Sequence, residues 1–337
     1  MIETVKSIFT HHFGIKPDTI VQLKGDASTR QIYRLKYADK SIIGIYGPNK
    51  AENRAFLAFT YSFHNIGLPV PQILYSDEEA GIYFLKDLGD ETLFSRLNRL
   101  RNENSGIFPR RQVENYYHQA LEYLARFQIK GAEIIDFSLC YQTSAFDYDA
   151  WKIDHDYFLN CFIDIFVPQA VSRQALEETL KAHREMLEPF TGGLFLYRDF
   201  QSRNIMLMED QLYFLDYQSG RRGHPCYDLA SLIYDARADL PDDFRQELME
   251  LLLRRISSET YISTNEMREA FPLFALLRIL QALASYGNNG VKKGRTEYLT
   301  AIPYALENAL NLLEDNPALK KLTALYDVLT EIKNSKF

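Results

Sequence analysis

Leu196-Tyr197-Arg198-Asp199-Phe200-Gln201-Ser202-Arg203-Asn204 is the stretch on which the interpretation of this chain depends. It places a carboxylate, Asp199, and a carboxamide, Asn204, five residues apart between two apolar runs. A carboxylate can accept a proton from a hydroxyl group, and carboxylate and amide oxygens are ligands that hard cations such as Mg²⁺ prefer. The pair alone is a weak signal, because loops are rich in both residue types for turn-forming reasons.

The residues after Asn204 strengthen that signal. Residues 205–208 and 212–215 are predicted to form two short buried strands around a turn at residues 209–211. The hairpin brings a second carboxylate, Asp216, to the end of its second strand. Phosphoryl transfer from ATP needs an acceptor for the proton of the attacking hydroxyl and oxygen ligands for magnesium, and these side chains can supply both.

The order of these elements, followed by Tyr227-Asp228-Leu229-Ala230, resembles the aminoglycoside phosphotransferase branch of the kinase-like superfamily, which also contains the choline kinase-like enzymes. Within this branch, the loop together with residues 281–287 and 302–308 looks most like bacterial N-acetylmuramate/N-acetylglucosamine anomeric kinases. The resemblance covers most of the chain, from about residue 20 to about residue 313.

The resemblance implies an α+β, protein-kinase-like fold with two lobes, a small β-rich N-lobe at residues 1–87 and a larger, mostly helical C-lobe at residues 88–337. It also implies dependence on ATP and Mg²⁺. The roles implied are catalytic for Asp199, metal-binding for Asn204 and Asp216, and structural for Asp228. Tyr197 is predicted to be structural because a phenol is a poor acid–base group at neutral pH. Tyr197 stands where the family carries histidine, and Asp228 is expected to accept hydrogen bonds from backbone N–H groups of the loop.

Residues 23–35 form a turn rich in small polar residues between two strand-like runs. Such residues let backbone N–H groups approach phosphate oxygens, and the family has its phosphate-covering loop here; a plain hairpin turn would explain the same residues. Residues 81–89 are predicted to be a buried strand that runs out into a turn, where backbone groups bind adenine in the family. The predicted nucleotide-binding residues are Gly25, Ser28, Thr29, Arg30, Glu52, Asp87 and Leu88.

The third predicted strand, residues 41–46, departs from the kinase pattern, which has a phosphate-binding lysine near the end of this strand. Here Ile45 or Tyr46 takes the place of the lysine, although Glu52 is available on the next helix as its usual partner. The candidate substitutes are Arg30, Lys50 and Arg54.

Asp154 falls inside an apolar stripe that begins at Trp151 on a predicted helix. A carboxylate on an apolar face needs a partner, so Asp154 either pairs with a cation or faces the cleft, where the family uses an acidic residue to hold substrate hydroxyls. A cleft with only one or two acidic groups suits a neutral sugar, and arginines remain available to bind an anionic substituent such as a lactyl carboxylate. The predicted substrate-binding residues are Asp154, Arg203, Gln218 and Arg221.

Composition excludes several classes of protein. The 337 residues are 46% hydrophobic and 25% charged, with a formal charge of −7 and no basic cluster without nearby acids, so no nucleic-acid surface is expected. The most apolar late window is interrupted by Arg278 and Gln281, and no membrane segment is expected. Three scattered cysteines without metal-ligand spacing indicate a reducing, cytoplasmic setting.

The sequence therefore predicts a small-molecule kinase that transfers the γ-phosphoryl group of ATP to a sugar hydroxyl, and the resemblance implies the anomeric hydroxyl of an N-acetylated hexosamine. An aminoglycoside or amino-alcohol kinase is the first alternative, which would need several acidic groups to hold a polycation. A nucleotide-binding regulatory or scaffold protein with a degenerate site is the second, because the lysine is missing and Tyr197 replaces histidine.

Overall fold

The N-terminal part of the chain is a five-stranded antiparallel sheet between two helices. A computed structural model describes residues 1–23, 29–167 and 172–336. The strands lie in the order β1-β2-β3-β5-β4. The elements of this part are α1 (Ile2–Phe13), β1 (Thr19–Leu23), β2 (Gln31–Tyr37), β3 (Lys40–Tyr46), α2 (Lys50–Asn65), β4 (Ile73–Asp77) and β5 (Ile82–Lys86).

Side chains alternate between the two faces of the sheet, which gives each helix its own apolar surface. On one face, Leu35, Ile42 and Phe84 form a cluster with Val5 and Phe9 of α1. On the other face, residues of β3 and β5 join the main core with α2. Gly44 permits the approach of α1, because a Cβ atom at Gly44 would lie 3.1 Å from Val5 Cγ1 and 2.9 Å from Leu35 Cδ1.

The described residues of the remaining chain are mostly helical and form two small two-stranded sheets. Its strands are β6 (Leu194–Leu196), β7 (Ile205–Met208), β8 (Gln211–Phe214) and β9 (Arg221–Gly223). Its helices are α3 (Leu93–Glu103), α4 (Arg110–Ile134), α5 (Tyr148–Phe158), α6 (Asp164–Phe166), α7 (Arg173–Leu187), α8 (Cys226–Ile233), α9 (Asp242–Ser257), α10 (Thr264–Gly287), α11 (Ile302–Asp315) and α12 (Thr323–Lys336).

Helix α10 is the central helix of this part. Together with the π turn that follows, it forms a continuous helical segment, Thr264–Lys292, long and apolar enough to cross a membrane by length and composition. Its most apolar window has a mean hydropathy of 1.3, and 89% of that window is buried inside the protein. This is the environment of a core helix rather than of a lipid-facing one.

The strands on either side of the catalytic loop fix its ends. β6 leads into the loop and pairs with β9, while β7 leaves it and pairs with β8. The hairpin turn has two residues, Glu209 and Asp210, with φ of 52° and 58°. The predicted three-residue turn was therefore wrong by one residue: Gln211 belongs to β8, and the two positive φ values are those of a type I′ turn, whose twist matches that of the strands.

Aromatic packing joins the sheet part to the helical part. Phe63 of α2 lies with its ring centroid 4.8 Å from Phe127 of α4 and 5.2 Å from Phe195 of β6. The two-lobed α+β prediction is confirmed. The predicted boundary after Asp87 falls between β5 and α3, and it stays a prediction. Helix α3 was not predicted; the missed signal was its capping box, in which Thr92 and Ser95 satisfy each other's backbone N–H groups.

Candidate active site

The loop between β6 and β7 is closed by hydrogen bonds to its own backbone. Asn204 donates through Nδ2 to the Asp199 carbonyl at 2.8 Å, and Leu215 donates its backbone N–H to the Asn204 carbonyl at 2.9 Å. The five-residue spacing is thus a structural unit. Because the NH₂ group of Asn204 is used inside the loop, its amide oxygen is the atom available to a cation.

Asp228, buried on α8, holds the start of this loop. Its carboxylate accepts backbone N–H hydrogen bonds from Tyr197 at 2.7 Å and Arg198 at 2.8 Å, and a third from Gln128 Nε2 at 2.9 Å. Burial raises the pKa of Asp228 to about 7, against the lowering effect of these donors. The arrangement corresponds to the structural role predicted from sequence, and the role itself stays a prediction for mutagenesis.

Tyr197 connects the loop to the end of β8. Its hydroxyl donates to the carbonyl of Leu215 at 2.6 Å, directly before Asp216. Its ring packs edge-on against Phe127 and Phe200, with centroids 5.4 and 5.1 Å away. Burial raises the pKa of Tyr197 well above its usual value, so the phenol stays protonated at neutral pH.

Asp216 lies at the end of the hairpin with a φ of +70°. Its carboxylate accepts hydrogen bonds from Arg30 at 2.7 Å and from Gln218 Nε2 at 2.8 Å, and 37% of its side chain remains exposed to the cleft. Burial opposes ionisation, but the Arg30 guanidinium and the other donors outweigh it and lower the pKa of Asp216. Asp216 is therefore an ionised oxygen donor that already faces a positive charge.

Asp199 is in the opposite electrostatic situation. Burial, followed by the negative charge of Asp216, raises its pKa, although Arg198, Arg278 and Arg203 counteract the shift. A carboxylate with a raised pKa is a better proton acceptor than an ordinary aspartate. Its neighbour Asp216 is shifted the other way, so the two carboxylates are suited to different tasks.

A cavity of about 720 Å³ runs between the sheet and the helical part. Asp199 and Asp216 line it, together with most of the residues predicted from sequence to bind nucleotide, metal or substrate. Those residues are Thr29, Arg30, Glu52, Asp87, Leu88, Arg203, Asn204 and Gln218. Gly25 and Ser28 lie outside the described residues.

The sequence profile of the "Phosphotransferase enzyme family" matches residues 19–261. The chain belongs to this family. An N-acetylmuramate/N-acetylglucosamine kinase from Pseudomonas aeruginosa is 23% identical over 92% of this chain and 88% of its own length. A kinase of the same name from Caulobacter vibrioides is 23% identical over 96% of each chain. The crystal structure of a choline kinase from Cryptosporidium parvum has a TM-score of 0.64 at 13% identity, covering 98% of this chain and all of the other.

As a member of the phosphotransferase family, the protein is an ATP-dependent kinase with a hydroxyl acceptor. This finding favours the catalytic interpretation over the regulatory or scaffold alternative that the missing lysine had left open. The family relationship leaves the choice among acceptors to the chemistry of the cleft.

The structure gives a partner to Asp154, which was predicted from sequence either to pair with a cation or to bind substrate. Its carboxylate makes a bidentate ion pair with Arg198 of the catalytic loop, at 2.6 and 2.8 Å, and is only 5% exposed. The Arg198 guanidinium lies against the rings of Phe146 and Tyr227, 4.7 and 5.0 Å from their centroids. Asp154 is not among the residues that line the cleft. Of the two alternatives, pairing with a cation is the one observed.

Arg221 was also predicted to bind substrate, and the structure directs it elsewhere. It is 4% exposed and donates to Thr143 Oγ1 at 2.8 Å, to the Ser219 carbonyl at 3.1 Å and to Gln142 Oε1. These contacts tie β9 to the segment before α5. Arg221 does not line the cleft.

Sequence reasoning missed the side chains that α10 contributes to the cleft. They recur at helical spacing along one stripe of an otherwise apolar helix and continue into the π turn Asn288–Lys292 and the residue after it. The polar residues of this stripe that line the cavity are Arg278, Gln281, Ser285, Asn288, Asn289 and Lys293. The helical spacing of these polar residues was visible in the sequence and could have predicted their position, because a polar stripe on a buried helix must face a polar space.

We expect Tyr197 to act through its ring and its hydrogen bond rather than as an acid. Tyr197→Phe should be mild, costing about 1 kcal/mol of stability for one lost hydrogen bond. Tyr197→Ala should cost about 3–5 kcal/mol because it opens a cavity behind the loop, and should abolish turnover. Urea unfolding and turnover assays measure both. Equal and complete loss of activity in two folded variants would instead show that the hydroxyl takes part directly.

We expect Asp199→Asn to lower turnover by roughly 10²–10⁴-fold, because the amide cannot accept the proton of the attacking hydroxyl. Binding of ATP should be nearly unchanged. In the parent protein, turnover should fall as the pH drops through the raised pKa of Asp199, since the protonated carboxyl cannot act as a base. Asp149→Asn, at an exposed position in the first turn of α5, is the matched control. Undiminished turnover of Asp199→Asn would remove its catalytic role.

Proposed function

We propose that this kinase phosphorylates an N-acetylated hexosamine, N-acetylmuramate or N-acetylglucosamine, at the anomeric hydroxyl. The relatives from Pseudomonas aeruginosa and Caulobacter vibrioides carry these two sugars in their names. The anomeric position follows from the resemblance of the catalytic loop, and it suits a carboxylate base because the anomeric hydroxyl is the most acidic hydroxyl of a free sugar. Such a reaction fits the recycling of cell-wall sugars, and we propose a cytoplasmic location, where ATP is supplied.

The charge at the α10 end of the cleft carries this proposal. Arg203 and Arg278 lie near Asp199, and Lys293 lies on the segment after the π turn. The amides of Gln281, Asn288 and Asn289 line the same end. Amides can bind the hydroxyl and acetamido groups of a neutral sugar, and an arginine or lysine can bind the carboxylate of a lactyl substituent.

The same charges disfavour a polycationic acceptor. Among the described residues that line the cavity, the acidic ones are Glu52, Asp87, Asp199 and Asp216. Three of them already have arginine partners: Arg30 pairs with Glu52 and Asp216, and Arg34 with Asp87. Among the described residues, an aminoglycoside would meet Asp199 as the one lining carboxylate without an ion pair, with Arg203 and Arg278 near it, and like charges at a binding site cost affinity.

We propose that the sheet end of the cleft binds ATP. Thr29 and Arg30 face the phosphates, and Glu52 holds the Arg30 guanidinium beside them. The backbone at Asp87 and Leu88 contacts the adenine. The side chain of Asp87 instead holds the hinge, because it accepts hydrogen bonds from Arg34 at 2.6 Å and Ser41 at 2.7 Å.

We propose that Asp216 and Asn204 hold Mg²⁺ between the two ends. The donor set fits, since both offer hard oxygens to the same cavity and Asp216 is ionised. Bound there, Mg²⁺ would neutralise charge on the ATP phosphates. Gln218, predicted from sequence to bind substrate, donates to Asp216 and to Glu52 and would orient the metal-binding carboxylate.

The acceptor is tested by incubating the purified protein with ATP and MgCl₂ and following phosphate transfer by mass spectrometry. The panel contains N-acetylmuramate, N-acetylglucosamine, glucosamine, choline and a kanamycin-type aminoglycoside. We expect transfer to the two acetylated sugars. The methyl glycoside of N-acetylglucosamine, in which the anomeric hydroxyl is blocked, should not react, because the attacking oxygen is lost.

Two results would contradict this assignment. Efficient transfer to the aminoglycoside or to choline, with none to the acetylated sugars, would establish the amino-alcohol alternative. Transfer to the methyl glycoside at the rate of the free sugar would refute the anomeric position while leaving the substrate class intact.

The metal assignment predicts that Asp216→Ala weakens binding of Mg-ATP, because a carboxylate ligand of the cation is removed. Calorimetric titration with ATP in the presence of Mg²⁺ and in the presence of EDTA isolates the metal-dependent part, which should be largely lost. Asp149→Ala serves as the surface control. Binding of Mg-ATP by Asp216→Ala as tight as that of the parent protein would exclude the assignment.

A further inference from the structure

The cleft contains a cation that does not come from the strand where kinases have their lysine. Arg30 stands one residue before β2, and its side chain is 11% exposed. Its guanidinium lies 2.7 Å from the Asp216 carboxylate and 3.6 Å from that of Glu52. Gln218 Nε2 closes the cluster, with 2.8 Å to Asp216 and 3.3 Å to Glu52.

The register of β3 identifies the position that lacks the lysine. Ile43 and Ile45 alternate with their neighbours and both line the cavity, whereas Tyr46 packs on the opposite face beside the α1 cluster. Ile45 is therefore the residue that occupies the lysine position. It pairs with Ile32 of β2 and Tyr83 of β5, so its side chain lies on the same sheet face as α2.

The other two candidate substitutes do not reach the cleft. Arg54 pairs with Glu78 at 3.8 Å, where both side chains are more than half exposed. Lys50 is exposed at the first position of α2. Among the described residues, neither lines the cavity that contains Arg30.

We propose that Arg30 replaces the missing lysine and has two alternating partners. In the nucleotide-free protein it neutralises Asp216. When nucleotide binds, the guanidinium turns from Asp216 to phosphate oxygens and keeps Glu52 as its fixed partner. Arginine suits this task because its planar group can bind either a carboxylate or a phosphate through two parallel hydrogen bonds. The proposal rests on the ATP site described above and assigns a regulation of metal binding to it.

The charges of the side chains that line the cleft account for the first partner. Without Arg30, the carboxylates of Asp216, Glu52 and Asp199 would face one another across a partly buried space, and like charges in such a space repel strongly. Arg30 removes that repulsion but also competes with a metal ion for Asp216. The same contact therefore stabilises the free protein and lowers its affinity for Mg²⁺ in the absence of nucleotide.

The test exploits these opposite effects. In Arg30→Ala, binding of Mn²⁺ alone to the nucleotide-free protein, measured by electron paramagnetic resonance, should become severalfold tighter because Asp216 has lost its competitor. Binding of ADP or ATP with Mg²⁺, measured by calorimetry, should become roughly ten- to hundredfold weaker because the phosphates have lost a cation. Arg54→Ala is the matched control and should leave both affinities at parental values.

A second experiment moves the positive charge from position 30 to β3. Arg30→Ala/Ile45→Lys returns a cation to the strand position and should recover most of the nucleotide affinity. Arg30→Ala/Tyr46→Lys puts it on the opposite sheet face and should recover none. Thermal melts check that each variant is folded. Should the Ile45 variant fail to fold, Arg30→Lys replaces it, and it should keep part of the nucleotide affinity.

A fall in both affinities of Arg30→Ala, or no change in either, would overturn the proposal. If neither the parent nor the variant binds Mn²⁺ alone, the counter-ion role of Arg30 is refuted and only its phosphate role can stand. These measurements use no sugar acceptor. A protein that transfers phosphate to no acetylated hexosamine yet shows the opposite shifts would refute the proposed substrate and leave the role of Arg30 intact.

Discussion

The site depends on a backbone conformation that most side chains avoid. Arg198 has a φ of +83°, in the left-handed region that favours glycine, and such a residue costs of order 1–3 kcal/mol. Asp228 fixes the two peptide N–H groups at this bend, and the ion pair with Asp154 fixes the side chain. Removing one partner of a buried ion pair such as Arg198–Asp154 costs about 3–5 kcal/mol, which exceeds the cost of the strained backbone. The bend therefore persists while the ion pair is intact. The direction of Asp199, the next residue, depends on it.

Positions and charges in the site follow from this anchored loop. The Tyr197 hydroxyl donates a hydrogen bond to the Leu215 carbonyl, directly before Asp216. This bond fixes the position of Asp216 relative to Asp199 through the backbone. The Ser231 hydroxyl accepts a hydrogen bond from Arg278 and lies 3.1 Å from the Tyr227 carbonyl and 3.3 Å from the Arg198 carbonyl, which links the loop to the polar stripe of α10. The pKa values of the two carboxylates are shifted in opposite directions. Burial and the charge of Asp216 raise the pKa of Asp199, and Arg30 helps to lower the pKa of Asp216.

What the sequence could predict was local. The Asp199–Asn204 spacing, the hairpin and Asp228 were identifiable because their roles depend on short spacing and strand periodicity. The partner of Asp154 was not, because Arg198 is 44 residues away and the contact exists only once α5 packs beside the loop. The partners of Arg221 were not identifiable for the same reason, since nothing in its neighbourhood in the sequence shows that residues 142–143 would bind it.

The α10 stripe was missed for a different reason. Arg278 and Gln281 were taken only as interruptions that argue against a membrane segment, although on a helix buried on all sides each polar side chain must find a polar partner or a polar cavity.

The two ends of the cleft differ in how their cations are paired, and this difference matches the two substrates proposed for it. At the sheet end, Arg30 is bound to the acidic partners Glu52 and Asp216, and in the proposed exchange its charge becomes available as phosphate replaces a carboxylate. At the α10 end, Arg278 donates to Ser231 and to Gln281, both neutral groups, and makes no ion pair with an acidic side chain of the described residues. In the proposed arrangement, the acceptor binds beside the positive charge of Arg278, whereas the nucleotide displaces an internal ion pair. This asymmetry favours an uncharged or anionic acceptor beside Asp199, independently of the names of related proteins.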